Sequence, residues 1–324
     1  MTTLAEDTVE RQCLYGLNVE SEVVLHQNRY AEWSGTPDVK VTRGETLNPG
    51  DKLPAEDCIL EFGMDGEPWY SAYRTKDGGY LLDFHGTCRF VMSADLRDVS
   101  VHDIVGAQPG VSDVLTAGGM LAFQLYVREH TVLHGSAVQI GDGALAFVGV
   151  SGQGKSTMAT LQCADGARLI TDDVLRVDTI DDSPAVRLGA TELRLRKGAD
   201  SLAAQFEGGV PVARVSADDR QVLRLPDDAD DRLPLRAIVI PIPNRVDASL
   251  HVEQLPKAEA GFVILNFARL SGWIDADIIK RHFQQVTTVL KSVPVFVARV
   301  PWGPPFAPDL AREIRTRVLG HGEL

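Results

Sequence analysis

The chain has 324 residues, 44% of them apolar and 24% charged, with 32 Lys and Arg against 45 Asp and Glu for a formal charge of −13. That composition is globular; it excludes collagen-like, coiled-coil and wholly disordered chains and suits about two domains. The acidic excess sets the surface as a whole against nucleic acid and anionic membranes, and neither is expected as a partner.

The first 30 residues carry Glu6, Asp7, Glu10 and Arg11 and no apolar core of the kind a secretory signal needs. No stretch approaches the ~18 apolar residues that span a bilayer, so a cytoplasmic protein is expected. Cys13, Cys58, Cys88 and Cys163 lie far apart, without a Cys-x-x-Cys. They are expected as reduced, mostly buried thiols, with no structural zinc.

From Leu14 to about Ser100 the pattern is short alternating or apolar runs, at Cys58 to Phe62, Trp69 to Tyr73, Tyr80 to Phe84 and Thr87 to Met92. Asp65-Gly66, Asp77-Gly78-Gly79 and His85-Gly86 separate them, and such punctuation predicts antiparallel hairpins. Residues 1–110 are therefore predicted to form a small β-rich N-terminal domain, which serves acceptor recognition or acts as scaffold. Val111 to Glu129 has apolar residues at helical spacing and no proline, and is predicted as a helix leading into a second domain over residues 111–324.

Beyond Thr131 strand-like runs alternate with helices, the pattern of an α/β domain. Strands are predicted at Val132 to Ile140, Leu145 to Gly149, Arg168 to Thr171, Val174 to Asp178, Leu235 to Pro241, Leu250 to Gln254 and Pro294 to Val300. Helices are predicted at Lys155 to Ala164, Lys257 to Leu270 and Asp275 to Lys291. The acidic run Asp227-Asp228-Ala229-Asp230-Asp231 is expected as a solvated loop.

Gly149-Val150-Ser151-Gly152-Gln153-Gly154-Lys155-Ser156 fits G-x-x-x-x-G-K-[ST] and sits between an apolar strand and a helix, the context in which that motif binds phosphate. Its glycines let backbone N–H groups curl around a phosphate, the helix N-terminus adds positive potential, and Lys155 reaches the outer phosphates. Gly149, Ser151, Gly152, Gln153, Gly154, Lys155, Ser156 and Thr157 are the candidate nucleotide contacts. Ser156 offers an oxygen to magnesium. The plainer alternative is a glycine-rich turn with an incidental Lys-Ser.

Only 16 residues separate Lys155 from Asp172, enough for one helix of ~10 residues, about 15 Å long, a turn at Gly166 and a short strand. A strand, helix and strand in this order are expected to pair in parallel, with both strands ending on one sheet edge. That brings Asp172 and Asp173 to the loop, where one carboxylate can hold magnesium and the other accept a proton; an Asp-Asp turn without a role is the alternative. A hairpin centred near Asp142 sets His134 opposite Val150, within reach of a phosphate or the Asp pair, although a one-residue slip would turn it away.

These residues resemble the catalytic domain of HPr kinase/phosphorylase and its relatives. The matching pieces are His134-Gly135-Ser136-Ala137-Val138, Phe147 through Thr157, and Arg168-Leu169-Ile170-Thr171-Asp172-Asp173, in that order and spacing. The resemblance implies an α/β fold: a P-loop domain like those of HPr kinase and phosphoenolpyruvate carboxykinase, preceded by the β-rich domain. It implies an ATP- and Mg2+-dependent kinase phosphorylating a hydroxyl. It places His134 and Lys155 on the phosphates, Asp172 as proton acceptor, and Asp173 with Ser156 around magnesium. Tyr15-Gly16-Leu17, Ser21-Glu22 and Leu133 before His134 look more like the HPr-kinase-like proteins of peptide natural-product clusters, including lasso peptide tailoring kinases, than like the regulatory enzyme. The acceptor is then a serine of a peptide or protein, or a natural-product hydroxyl. Glu192 is a loose counterpart of a further metal ligand, and Arg220, Arg224, Arg194 and Arg196 are candidates to stabilise charge during transfer. The HPr enzymes are hexamers, which leaves a homo-oligomer open. Two other functions stay open: a nucleotide-dependent switch or scaffold without transfer, and a carboxykinase-like phosphotransferase acting on a small acid.

Overall fold

The computed structural model describes residues 9–52, 55–180, 183–190, 192–195, 202, 206, 212–225 and 229–320. The chain divides into two units, Met1–Gln124 with Leu270–Ile279, and Leu125–Arg269 with Lys280–Leu324.

The first unit is built on eight strands: β1 (Glu10–Leu14), β2 (Leu17–Ser21), β3 (Val39–Arg43), β4 (Cys58–Met64), β5 (Glu67–Arg74), β6 (Tyr80–Phe84), β7 (Cys88–Met92) and β8 (Asp98–Asp103). They form one sheet in the order β1-β2-β3-β8-β7-β6-β5-β4. The hairpins expected around Asp65-Gly66 and His85-Gly86 are present as β4–β5 and β6–β7. Asp65 and Gly66 both have positive φ, 55° and 84°, the geometry that matches a tight turn to strand twist. β7 alternates cleanly, with Cys88, Phe90 and Met92 buried. β1 and β2 join through the two-residue turn Tyr15-Gly16, both residues at positive φ, whereas β3 has no hairpin neighbour. β3 pairs in parallel with both β2 and β8, and parallel neighbours need long connections rather than hairpins.

The helix predicted over Val111 to Glu129 is three pieces: α1 (Val111–Leu115), a π-helical turn (Thr116–Met120) and α2 (Leu121–Val127). The turn contains Gly118-Gly119, and a Cβ at Gly119 would run into the Phe84 ring. The missing side chain lets the ring sit against the backbone, and the helix widens there.

The second unit contains β9 (Thr131–Leu133), β10 (Gly135–Ile140), β11 (Gly143–Val148), α3 (Lys155–Ala164), β12 (Arg168–Thr171), β13 (Leu175–Ile180) and β14 (Ser183–Arg187). It continues with β15 (Glu192–Leu195), β16 (Val212–Val215), β17 (Gln221–Arg224), β18 (Arg232–Asn244) and β19 (His251–Gln254). Then come α4 (Lys257–Leu265), α5 (Ala276–Val289), whose first residues belong to the first unit, β20 (Val295–Pro301) and α6 (Leu310–Leu319). The main sheet runs β12-β10-β11-β18-β14-β13-β9, with β20 also on β18 and β19 on β20; β15, β17 and β16 form a small separate sheet.

Every residue of β11 is buried, because both faces of the sheet are covered. Leu145 and Phe147 pack with α3 and α6 residues such as Met158, Leu161 and Ile314. Ala146 and Val148 face Ile264 of α4 and Val286 of α5. Each large side chain so buried contributes roughly 1.5–3 kcal/mol.

β11 and β12 are parallel but not neighbours, which corrects the expected pairing. β10 lies between them and is antiparallel to both. Because β10 runs the other way, its beginning, not its end, reaches the edge where β11 and β12 finish.

The four cysteines are free; Cys88 and Cys163 are buried, while Cys13 and Cys58 are only half-buried. Of the acidic run, Asp227 and Asp228 lie outside the described residues, as do Glu6 and Asp7. Asp230 accepts from Gln139 at 2.9 Å and Asp231 pairs with Arg187 at 3.2 Å, so this part of the loop is tethered rather than simply solvated. Among the described residues no helix is long and apolar enough to cross a membrane.

His282 on α5 is 9% exposed, sits edge-on to the Tyr126 ring at 5.4 Å, and has no hydrogen-bond partner on either ring nitrogen among the described residues. Burial pushes its imidazole down to about 4. The unfolded chain therefore binds a proton below its ordinary value of ~6.5 that the folded chain refuses, and stability falls as pH drops from there toward 4. Between pH 7.5 and 5 the wild type is expected to lose about 2 kcal/mol more than His282→Phe. Denaturant unfolding at the two pH values measures this, and equal losses would refute it.

Candidate active site at the phosphate loop

The site grows from one sheet edge of the second unit. β11 ends at Val148, the loop follows, and α3 begins at Lys155 with Gly154 as its N-cap at φ 95°. An L side chain resists that left-handed geometry. The loop is braced from within: Val150 N–H donates to Gln153 Oε1 at 2.7 Å, and Lys155 Nζ donates to the Val150 carbonyl at 3.0 Å. A Cβ at Gly149 would collide with the Gln153 amide oxygen, so that brace needs a glycine there. Ser151 is exposed, Gly152 takes φ 85°, and Thr157 is half-buried in the first turn of α3. Lys155 is buried, which pulls its amine down to about 8 against the opposing pull of Asp173 and Asp172.

β12 delivers Asp172 and Asp173 to the same edge, and a tight turn sends the two carboxylates to different partners. Thr171 Oγ1 donates to the Val174 carbonyl at 2.7 Å and Val174 N–H to the Asp172 carbonyl at 2.9 Å. Asp173 sits at φ 71°, a left-handed conformation that Asp adopts more readily than most residues.

Asp172 is 2% exposed. Its Oδ1 accepts from Ser136 Oγ at 2.5 Å and Ser156 Oγ at 2.8 Å, and its Oδ2 from the Arg194 N–H at 3.2 Å. Burial pushes its carboxyl up and the donors pull it down, with a net rise. Asp173 faces His134 Nε2 at 3.2 Å through Oδ1 and Arg269 Nη2 at 2.7 Å through Oδ2. Burial alone would raise it, but Arg269 and His134 outweigh burial and hold it well below the usual carboxylate range. The Ser156 hydroxyl thus lies on Asp172 and not on Asp173, the carboxylate expected to share magnesium with it.

His134 occupies the break between β9 and β10, where a single strand was predicted. Its N–H donates to the Phe267 carbonyl at 2.7 Å and its carbonyl accepts from Gly149 N–H at 3.3 Å. It therefore stands opposite Gly149, one residue from the expected Val150. Because the strand breaks at His134, the slip does not turn the side chain away from the site. Burial lowers its imidazole below the ordinary histidine value, with Asp173 pulling the other way.

Arg269 is the residue that sequence reasoning passes over. The helix predicted to Leu270 stops at Leu265, Asn266 caps it, and Ala268 bridges to Leu133. Arg269 N–H donates to Tyr126 Oη at 2.9 Å, and that hydroxyl donates to the Val132 carbonyl at 2.6 Å. One buried phenol thus ties the strand before His134 to the segment that carries Arg269. Ser136 was also missed as a site residue, although it lies in the quoted His134-Gly135-Ser136 segment.

Of the arginines singled out in the sequence, Arg220 Nε meets Asp218 at 3.0 Å and Arg194 bonds the same carboxylate. Arg194 acts electrostatically on Asp173, and Arg220 on Lys155. Arg224 and Arg214 both pair with buried Glu192, at 3.2 and 2.8 Å, so Glu192 is already neutralised by two cations. Arg196 lies outside the described residues. Among the described residues no group of three or more His, Cys, Asp or Glu could hold a metal.

No protein-family model matches the chain, and no curated protein matches it. Among solved structures it is similar to the HPr(Ser) kinase/phosphatase from Coxiella burnetii, at 10% identity and a TM-score of 0.30, covering 58% of this chain and 99% of that one. A likeness at that identity and score carries no argument.

Proposed function

We propose that this chain is an ATP- and magnesium-dependent kinase that transfers the γ-phosphoryl group to a hydroxyl, on a serine of a peptide or protein or on a natural product. One observation carries the reading: the phosphate-loop Ser156 meets Asp172, while the adjacent Asp173 is held apart with His134 and Arg269. Two carboxylates in two environments suit a division between metal and proton.

The Ser156 hydroxyl and Asp172 carboxylate are hard oxygen donors, and two such protein ligands beside a phosphate chain suit magnesium, which keeps waters and substrate oxygens in its shell. Bound there, the ion would supply charge neutralisation on the phosphates. Backbone N–H groups of the loop and Lys155 hold the phosphates. The acceptor oxygen attacks the γ-phosphorus, the bond to ADP breaks, and the hydroxyl proton passes to the Asp173–His134 pair. Arg269 fixes Asp173, and the lowered imidazole keeps His134 neutral and able to accept at neutral pH. Asp172, expected first as the base, is assigned to the metal because three donors already occupy its oxygens.

The test is mass spectrometry of acceptors encoded beside the gene after incubation with ATP and magnesium. A phosphorylated product is expected from wild type and none from Lys155→Ala, which should also lose ATP affinity. Tight ATP binding with no product from any hydroxyl acceptor would favour a nucleotide-dependent switch. Lys155→Ala binding ATP as well as wild type would remove the loop assignment.

A further inference from the structure

β11, β18 and β20 are parallel neighbours in sequence of pairing, so their carboxyl ends share the edge that carries the phosphate loop. Ligands of open α/β sheets lie along that edge. The register aligns Phe147 with Val239, and Val239 with Phe296. Extending it sets Gly149 level with Ala298 on β20, two strands away. Trp302 lies four residues beyond Ala298, so roughly 13 Å further along the strand direction and about 10 Å to the side. That offset is within reach of an extended nucleoside triphosphate anchored at the loop.

Two side chains wait there. Trp302 follows β20, Arg245 follows β18, and the Arg245 guanidinium lies over the indole at 3.8 Å from the ring centroid. Trp302 is nevertheless 56% exposed, so the guanidinium leaves much of the indole open. A single exposed aromatic means little by itself, but this one is held firmly. Trp302 N–H donates to the Asn244 carbonyl at 2.8 Å, joining the two strand ends. Asn244 Oδ1 accepts from Val246 and Asp247 N–H at 3.0 and 3.3 Å, which fixes the turn that carries Arg245. On the other side the Phe306 ring packs directly on Gly303, where a Cβ would have no room, and reaches the core beneath α3.

We propose that Trp302, backed by Arg245, is the platform on which the base of the nucleotide stacks. The inference rests on the nucleotide reading of the phosphate loop and adds the site for the other end of the molecule. An indole face with a guanidinium behind it suits any planar heterocycle, and the position selects the base of the triphosphate bound at the loop. The stack holds the base, and the loop holds the phosphates.

Calorimetric titrations with ATP and with inorganic tripolyphosphate test both ends separately, on the full chain. Trp302→Ala is expected to weaken ATP by about 5- to 100-fold and to leave tripolyphosphate unchanged. Trp302→Phe should recover most of that loss, and ATP should quench indole fluorescence in wild type more than in Trp302→Phe. Unchanged ATP affinity in Trp302→Ala overturns the platform, as does an equal loss for both ligands, which would mark a fold effect. If wild type binds neither ATP nor tripolyphosphate, the loop reading itself fails and the platform with it.

Discussion

Asp173→Asn is expected to slow phosphoryl transfer by about 10²- to 10⁴-fold, the contribution of a positioned general base, with ATP affinity close to wild type. The backbone should survive the change, because Asn is at least as tolerant as Asp of the left-handed φ of 71°. The amide still offers an oxygen to Arg269, but its nitrogen cannot take a proton from a hydroxyl, and the pair with His134 loses its charge. A companion measurement separates proton transfer from mere packing. The wild-type rate should fall as pH drops through the lowered range of His134, as the imidazole gains its proton, and Asp173→Asn should flatten that limb. Single-turnover kinetics across pH, with nucleotide binding measured alongside, provides both numbers. A variant that transfers at near wild-type rate would return the proton to Asp172 or to solvent.

Asp172→Asn should fail differently. Its two oxygens accept from two hydroxyls and one backbone N–H, and an amide must turn a donor toward one of these donors. The cost of such a buried mismatch is about 1–3 kcal/mol of stability. The larger effect is on magnesium: losing a charged ligand beside Ser156 is expected to raise the magnesium concentration for half-maximal rate by at least roughly 10- to 100-fold, the range seen even for outer partners of metal ligands. The two substitutions are therefore distinguished by titrating magnesium at saturating ATP, where Asp173→Asn keeps the wild-type midpoint. A shifted midpoint in Asp173→Asn and none in Asp172→Asn would reverse the two roles.

The elements around the loop are legible because their signals are local. A glycine-lysine loop starts α3 at Lys155, Gly166 follows its end, and the three apolar or β-favouring residues Leu169, Ile170 and Thr171 after Arg168 make β12, both elements with the predicted bounds. What local signals do not carry is pairing order. Nothing in Arg168–Thr171 says that an antiparallel strand is interposed between β12 and β11, because that depends on which strand the folded sheet admits. Arg269 was hidden for a related reason. Phe267 and Leu270 continue the apolar spacing of α4, and tertiary contacts, the bridge from Ala268 to Leu133 and the bonds at Phe267 and Arg269, compete with the helix and end it. β3 escaped because long irregular stretches separate it from its parallel partners β2 and β8, and the Tyr15-Gly16 turn that joins β1 to β2 was passed over. The different partners of Asp172 and Asp173 were out of reach too, since identical neighbours are told apart only by the folded backbone.

The reversed strand β10 also decides where the protein can be altered safely. Its hairpin with β11 closes at Gly141-Asp142: β10 carries the chain away from His134 to that turn, and β11 brings it back to the phosphate loop. Gly141 already takes a positive φ, and the Asp142 side chain is 87% exposed. Gly141-Asp142 is thus the natural attachment point for a fluorophore or an inserted affinity peptide, a full strand length removed from every reacting group.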